Sequence, residues 1–205
     1  MKRMRSITAL TATLIGLGAL AMVAGCSKEG NEWQRLVVEV AQINDGAPVI
    51  SSYLTGTENL PQCDGTDLLP IDIIPVEFVA RPYNSAVVLQ PGEPFSTFEI
   101  TSYDVIWHPM SAVADSLTAH NILGAATSLR VTLDEPASVN VLIADRGLKD
   151  QPWFVAALSP CVGGNVGTFR ANAELRFHGH ETGTERDVVI PAPVTVDFVG
   201  YIKQQ

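Results

Sequence analysis

The chain has 205 residues, of which 46% are hydrophobic, enough to bury one core of ordinary size. Its 22 acidic residues outnumber its 13 basic ones, so the formal net charge is −9 at pH 7. Nucleic acid and anionic lipid headgroups repel such a surface, and we therefore predict no nucleic-acid partner.

The first 25 residues have the arrangement of an export signal. Lys2, Arg3 and Arg5 precede an apolar run over residues 7–24. A segment of this kind is removed after export and takes no part in the fold. One alternative is a transmembrane anchor, because about 20 apolar residues span a bilayer. Another is ordinary secretory cleavage that leaves Cys26 as a plain thiol.

The apolar run ends in Val23-Ala24-Gly25-Cys26, which resembles the lipobox of bacterial lipoproteins cut by signal peptidase II. In that family the cysteine thiol receives a diacylglyceryl group before cleavage, and the freed amine is then acylated, commonly with palmitate. The resemblance implies that Cys26 becomes a lipid-bearing N-terminus. Two or more acyl chains hold a protein on a membrane almost irreversibly.

Ser27 follows the cysteine where aspartate signals inner-membrane retention in many Gram-negative lipoproteins. The resemblance therefore implies residence at the outer membrane if the host has one. Loss of Lys2, Arg3 and Arg5 leaves 10 basic and 22 acidic residues, a formal charge of −12. We expect a signal peptide over 1–25, a lipidated tether over 26–33 and a single domain over 34–205.

Once Cys26 carries lipid, Cys63 and Cys161 remain as the only pair of cysteines. Each lies in a stretch rich in proline and glycine, where two loops can meet without distorting strands. An exported chain encounters oxidising surroundings, so we predict a disulfide between these two cysteines. The alternative is a pair of reduced thiols in a reducing niche.

Apolar residues alternate with polar ones in short runs along the mature chain, and Gly, Pro, Asn and Asp separate the runs. This pattern predicts β-strands. Between 97 and 107 it places Tyr103, Val105 and Trp107 on one face and Phe98, Ile100 and Ile106 on the other, as in a central strand. The full set of predicted strands covers 34–43, 48–54, 72–81, 97–107, 127–133, 138–145, 168–177 and 188–202.

Three local features refine this prediction. Pro75 lacks a backbone N–H, so we place 72–81 at a sheet edge or a bulge. The runs 127–133 and 138–145 flank Asp134-Glu135-Pro136 and read as a β-hairpin. The segment 111–123 carries no turn signals and is compatible with a short helical insert, the only helical candidate in the mature chain.

Many short strands without alternating helices predict an all-β fold in which two antiparallel sheets pack as a sandwich. The layout resembles that of immunoglobulin-like domains, although no Cys-Trp-Cys spacing of a true immunoglobulin domain is present. A partly open β-barrel is the alternative.

His178-Gly179-His180, with Glu181 adjacent, is the most conspicuous group of potential metal ligands. Strand alternation sends His178 to the polar side beside Arg176, whose charge opposes a bound cation. We therefore predict solvent-facing histidines and no metal at this position.

Other signals for chemistry are weak. The glycines of 161–167 precede a strand pattern and lack the helix that a phosphate loop requires. His108 and His120 could supply a base for a hydrolase, but no Gly-x-Ser-x-Gly motif occurs. Aspartates in loops could hold calcium, and aromatic residues could stack on sugars; these are Asp64, Asp67, Asp72, Asp145 and Asp150, and Trp33, Trp107, Trp153 and Phe154.

The sequence thus predicts a lipid-anchored envelope protein that serves as a binding or structural accessory and has an envelope protein as its partner. We predict neither an enzyme nor a cofactor-binding protein. A lipid-anchored hydrolase and a carbohydrate-binding envelope protein are the alternatives, and the oligomeric state stays open.

Overall fold

The computed structural model describes residues 35–84, 86, 88–90, 93–111, 114–162, 167–184 and 187–204. The predicted signal, the lipobox from Val23 to Cys26 and the tether over 26–33 lie outside these residues. Most described residues belong to strands, and helices are few. The strands are β1 (Leu36–Ile43), β2 (Val49–Gly56), β3 (Asp72–Pro82), β4 (Thr97–Pro109), β5 (Ile122–Thr132), β6 (Ala137–Ala144), β7 (Thr168–Glu181) and β8 (Val188–Lys203).

These strands form two sheets, as the sequence predicted. The small sheet has the order β1-β3-β6, and the large sheet, curled into a half-barrel, has the order β2-β8-β7-β4-β5. All pairs are antiparallel except β2 with β8, which run parallel. The expectation of purely antiparallel sheets is therefore wrong at this one pair.

The core lies between the sheets, where the apolar faces of their strands meet. Phe78 of β3 and Phe177 of β7 are fully buried and contact each other edge to face, with ring centroids 4.8 Å apart. Along β7 the residues alternate between core and outer face, as predicted for this strand. Aromatic pairs of this geometry add to the stability that burial alone gives.

β4 lies inside the large sheet between β7 and β5, which confirms the predicted central strand. The predicted division of its faces is wrong, because the pairing shifts by one residue between Ile100 and Ser102. This bulge moves Phe98 and Ile100 to the same buried side as Tyr103, Val105 and Trp107.

β3 is the central strand of the small sheet, so the prediction that 72–81 lies at an edge is wrong. The expected irregularity is present at its start, where the register with β6 shifts between Asp72 and Ile73. β1 ends opposite Val76, so Pro75 has a paired strand on the β6 side only. A proline is tolerated at such a position because, beyond the end of β1, the other side of the strand has no partner that needs an amide donor.

β5 and β6 are consecutive but belong to different sheets, so the predicted hairpin is wrong. The chain crosses between the sheets at Asp134, whose φ of 64° lies in the left-handed region. Alternation alone cannot distinguish a hairpin from two strands that leave for opposite sheets.

The predicted helical insert corresponds to a 3-10 helix, Ala114–His120, which buries Leu117. It is not the only helical segment, contrary to expectation. α1 (Arg146–Lys149) and α2 (Pro152–Leu158) follow β6, and α2 begins with a proline at its first position and buries Phe154 and Leu158. Two further 3-10 turns cover Asn44–Gly46 and Pro94–Ser96. No helix in the described ranges is long and apolar enough to cross a membrane.

We predict that Phe78→Ala lowers the free energy of unfolding by about 3 to 5 kcal/mol, because it leaves a cavity beneath Phe177. Tyr83→Ala is the matched control, since Tyr83 follows β3 directly and is mostly exposed; its effect should stay within about 0.5 kcal/mol. Urea unfolding followed by tryptophan fluorescence measures both. Equal effects of the two substitutions would contradict this description of the core.

Candidate functional site

The strand registers define two ends of the β domain. Leu36 pairs with Pro82, and Glu181 contacts Leu36, so the start of β1 and the ends of β3 and β7 share one end. We call it the N-terminal end, because the chain enters the domain there. The opposite end, where β3 begins and β6 and β8 finish, carries the loop over 57–71 and both α-helices, and we call it the loop end.

Glu181 holds the start of β1 at the N-terminal end. Its Oε1 accepts hydrogen bonds from the backbone N–H groups of Arg35 at 2.7 Å and Leu36 at 2.6 Å. The side chain is buried, and Oε2 has no partner among the described residues. The guanidinium of Arg35 lies 4.4 Å above the Phe95 ring. These contacts fix the point at which the preceding chain joins the domain.

A disulfide joins Cys63 to Cys161 at the loop end, with 5.5 Å between their α-carbons, and confirms the predicted pairing. It ties the β2–β3 loop to the segment that follows α2. Closing a loop of 98 residues restricts the unfolded chain and so favours the folded state.

The glycine-rich segment 161–167 lies partly outside the described residues. Its last member, Gly167, packs against the carbonyl oxygen of Ala157, where a side chain would collide. This contact gives that glycine a packing role.

A buried ion pair lies at the same end. Lys149 is fully buried, and its Nζ lies 2.8 Å from Asp72 Oδ2 and donates to the carbonyl oxygen of Ser52 at 2.7 Å. The Ser51 hydroxyl donates to the same Asp72 oxygen at 2.5 Å. Burial lowers the pKa of Lys149 and raises that of Asp72, in each case against the attraction of the partner. The pair connects α1, β2 and β3.

Sequence reasoning missed the role of Lys149. A single lysine in a short helix carries no pattern that distinguishes a buried cation from a solvated one. Asp72 was considered only as a calcium ligand, and the structure commits it to Lys149.

The aspartates considered for calcium do not converge. Asp64 accepts hydrogen bonds from the backbone and hydroxyl of Thr66, and Asp67 accepts one from the Gln62 N–H. Asp145 caps α1 by accepting from Leu148 N. Asp64 and Asp67 line a polar hollow of about 450 Å³ at the loop end. Within the described ranges no three side chains form a group that could hold a metal ion.

The aromatic residues considered for sugar stacking form part of the core at the loop end. Trp107 packs against Phe198 with ring centroids 5.6 Å apart, and Phe154 contacts Phe198 edge to face at 5.5 Å. Trp153 is half-buried and contacts the rings of Phe154 and His120. Trp33 lies outside the described residues. These rings pack against each other and offer no open platform.

His178 lies on the outer face of the large sheet, and its Nε2 is 2.8 Å from Asp104 Oδ2. Burial opposes the charge on Asp104, but hydrogen bonds from Gly124 N and His178 outweigh it and hold the pKa of this carboxyl below its ordinary value. Arg176 lies beside this pair and adds to the effect. Nε2 of His178 is therefore engaged with a carboxylate.

The remaining charges of this face pair with each other. Arg176 binds Glu174 at 2.8 Å and so lowers the pKa of that carboxyl, and His108 lies 3.5 Å from the same residue. His180 is half-buried and paired in register with Glu99. Opposite charges that face each other across neighbouring strands, such as His108 and Glu174, stabilise the sheet.

His178 and His108 thus each lie beside a carboxylate, as the acid–base pair of a hydrolase would. His108 and Glu174 line a shallow hollow of about 560 Å³, and its one hydroxyl side chain, that of Thr195, donates to Asn172 Oδ1 at 2.9 Å. Both cysteines of the described chain are oxidised. The geometry provides acid–base pairs without an activated nucleophile beside them.

An apolar groove of about 560 Å³ separates β1 from β8. It is lined by residues 38–43 and 188–193, of which Glu39 alone has a charged side chain. No pattern in the sequence indicates the groove, because each strand separately reads as an ordinary member of a sheet.

Comparison with protein-family models, with curated proteins and with solved structures finds no match to this chain. Its function must therefore be argued from its own residues.

We predict that Lys149→Met lowers the free energy of unfolding by about 3 to 5 kcal/mol at pH 7.5, because it leaves the Asp72 carboxylate buried without its cation. The deficit relative to the unaltered protein should shrink towards pH 4.5. Without the lysine, the folded-state pKa of Asp72 lies still further above the ordinary value of 3.8, so the folded state retains a proton that the unfolded state loses. The free energy of unfolding of the Lys149→Met variant therefore falls as the pH rises through this interval, because its folded state binds more protons than its unfolded state.

Urea unfolding at the two pH values measures the effect. The double substitution Lys149→Met with Asp72→Leu is the control, because it removes both charges and should recover most of the loss. A deficit that grows on acidification would contradict the prediction.

We predict that zinc does not bind tightly at His178 and His180, because Arg176 lies near His178 and repels a cation, and no group of three possible ligands forms among the described residues. Titration of zinc into the purified chain, followed by calorimetry, should show no stoichiometric event in the micromolar range. The variant carrying His178→Ala and His180→Ala is the control. Tight binding that this variant abolishes would overturn the prediction.

Proposed function

We propose that the chain is a lipid-anchored lipoprotein of the bacterial cell envelope, whose β domain acts as a binding or structural accessory. The observation that carries this proposal is Val23-Ala24-Gly25-Cys26, placed directly after a basic start and an apolar run. In support, the folded domain begins at Arg35. The eight intervening residues reach about 30 Å at most, so the domain stays close to its membrane.

The two ends of the domain then have different roles. The N-terminal end, where Glu181 binds the start of β1, is the end joined to the lipid. The loop end is the opposite end of the domain, and its disulfide and buried ion pair hold its loops in place. Leu60, Leu68 and Val162 are exposed there. Exposed apolar side chains on a rigid loop surface suit a protein partner in the envelope.

We infer an immunoglobulin-like layout for the two sheets. In immunoglobulin domains strands A, B and E lie in one sheet, and strands C, F and G, with C′ in variable domains, lie in the other. The orders β1-β3-β6 and β5-β4-β7-β8 follow this scheme, and β2 adds to it a strand parallel to β8. Trp107 is buried on the strand equivalent to C, and Phe78 meets Phe177 between those equivalent to B and F.

Ser27, which follows the cysteine, supports residence at the outer membrane in a host that has an outer membrane. The acidic mature chain, with its formal charge of −12, also favours solubility next to anionic lipid. The partner is an envelope protein, and nucleic acid is excluded by charge.

We predict that the protein extracted from membranes begins at Cys26 and that its N-terminal peptide carries diacylglyceryl and acyl groups. Mass spectrometry of the tryptic peptides measures this. Cys26→Ser should release the protein from the membrane fraction or stall its processing, whereas Ser27→Ala, the neighbouring control, should leave both lipid and fractionation unchanged. A cleaved, membrane-extracted protein with an unmodified Cys26 would disprove the proposal.

A further inference from the structure

Residues 60–67, which belong to the loop between β2 and β3, form an arch that contributes no side chain to the core. No residue of the whole loop, 57–71, is buried. The hydrogen bonds of the arch stay inside it, as when Gln62 N donates to Asp67 Oδ2 at 2.6 Å. Among the described residues, the disulfide from Cys63 to Cys161 is the one bond that ties the arch to another part of the domain.

The chain on either side of the arch is held without the disulfide. The Tyr201 hydroxyl donates to the carbonyl oxygen of Glu58 at 2.7 Å, and Leu68 exchanges two backbone hydrogen bonds with Thr55. On the far side of the disulfide, residues 158–160 are buried. Cleavage of the disulfide lowers the stability of the domain, because the unfolded chain is no longer restricted, but it removes no core contact. It therefore frees the arch alone.

Both sulfur-bearing residues lie at the surface. Cys63 and Cys161 are exposed, and Val162, which follows the second cysteine, is exposed as well. A thiolate in solution reaches such a bond without unfolding the domain. Exposed disulfides are the ones that reductants cleave readily and that serve regulation, whereas structural disulfides of secreted proteins resist reduction.

The disulfide joins the two sides of the loop-end surface. Leu60 begins the arch and Val162 follows Cys161, and both apolar side chains are exposed. The arch also supplies part of the lining of the polar hollow of about 450 Å³, namely Gln62, Asp64, Thr66 and Asp67. With the disulfide formed, these groups keep fixed positions relative to each other. Once it is broken, one wall of the hollow and Leu60 move independently of Val162.

We propose that the Cys63–Cys161 disulfide is a redox-sensitive clamp, which a dithiol of the envelope opens to release the arch while the domain stays folded. A thiolate of the reductant attacks one sulfur, forms a mixed disulfide and expels the other cysteine as a thiolate. The second thiol of the reductant then displaces the remaining cysteine, so both cysteines become thiols and the reductant becomes a disulfide. The effect on partner binding rests on the proposed function, whereas the release of the arch does not.

Reduction of the complete chain, extracted from membranes in detergent, tests the clamp. Dithiothreitol is added to the native protein and to the protein in urea, and free thiols are trapped by alkylation at intervals. Mass spectrometry of the peptides that contain Cys63 and Cys161 gives the two rates. The native rate should lie within about tenfold of the rate in urea, because exchange at an exposed disulfide needs no global unfolding. A larger gap would mean that the bond opens only when the domain unfolds, and would overturn the proposal.

Limited proteolysis with subtilisin locates the effect. Nicking within 57–71 should rise about tenfold on reduction, because cleavage requires a segment that opens locally. The variant with Cys63→Ser and Cys161→Ser should be nicked at the same raised rate with or without dithiothreitol. Lys203→Met is the matched control, since it removes the hydrogen bond from Lys203 to Asn59 and leaves the disulfide in place, and it should not change the nicking.

Near-ultraviolet circular dichroism of the reduced protein reports on the buried rings of Trp107 and Phe177 and should be retained. Loss of this signal on reduction would make the disulfide a requirement for folding, and nicking that reduction does not change would leave the arch without a clamp. Either result would reject the inference. The lipid on Cys26 is measured separately on the N-terminal peptide, so failure of the clamp and failure of the proposed function are distinguishable.

Discussion

The contact between Phe78 and Phe177 links the small sheet to the large one at the centre of the core, and the remaining packing follows from it. With both rings buried, alternate residues of β3 and β7 must also face inward, which sets the orientation of every strand paired with them. β4 satisfies this constraint only because its bulge returns Phe98 and Ile100 to the core side. A single inserted residue therefore decides whether Phe98 and Ile100 are buried or exposed to solvent.

A disulfide and a buried ion pair hold the loop end in place, and they act in different ways. The disulfide acts mainly by restricting the unfolded chain, whereas the pair of Lys149 and Asp72 contributes directional bonds within the folded state. Burying two charges costs more than burying apolar groups of the same size, so the pair is poor evidence for stability as such. What it does supply is geometry, because Lys149 can satisfy Ser52 and Asp72 only when α1 lies against both β2 and β3. This end of the domain is therefore fixed in one arrangement.

Local periodicity sufficed to predict the strands, because alternation along segments such as 168–177 depends only on which side of a sheet is buried. It could not predict the bulge in β4, the crossing at Asp134 or the parallel pairing of β2 with β8, since these depend on contacts between distant residues. The cysteine pairing followed from elimination. Local sequence could not predict the roles of Lys149 and Glu181 or the presence of the groove, because each depends on a partner far away in the chain.

The groove between β1 and β8 lies at a sheet edge that resists pairing with other chains. An exposed edge strand invites pairing with other chains, and proteins suppress this with prolines, charges and bulges. Here Pro191 and Pro193 have no N–H to offer, and β1 bulges between Val40 and Gln42 in its pairing with β3. Most side chains that line the groove are apolar. Such an edge offers few amide donors to another chain, and apolar side chains border it.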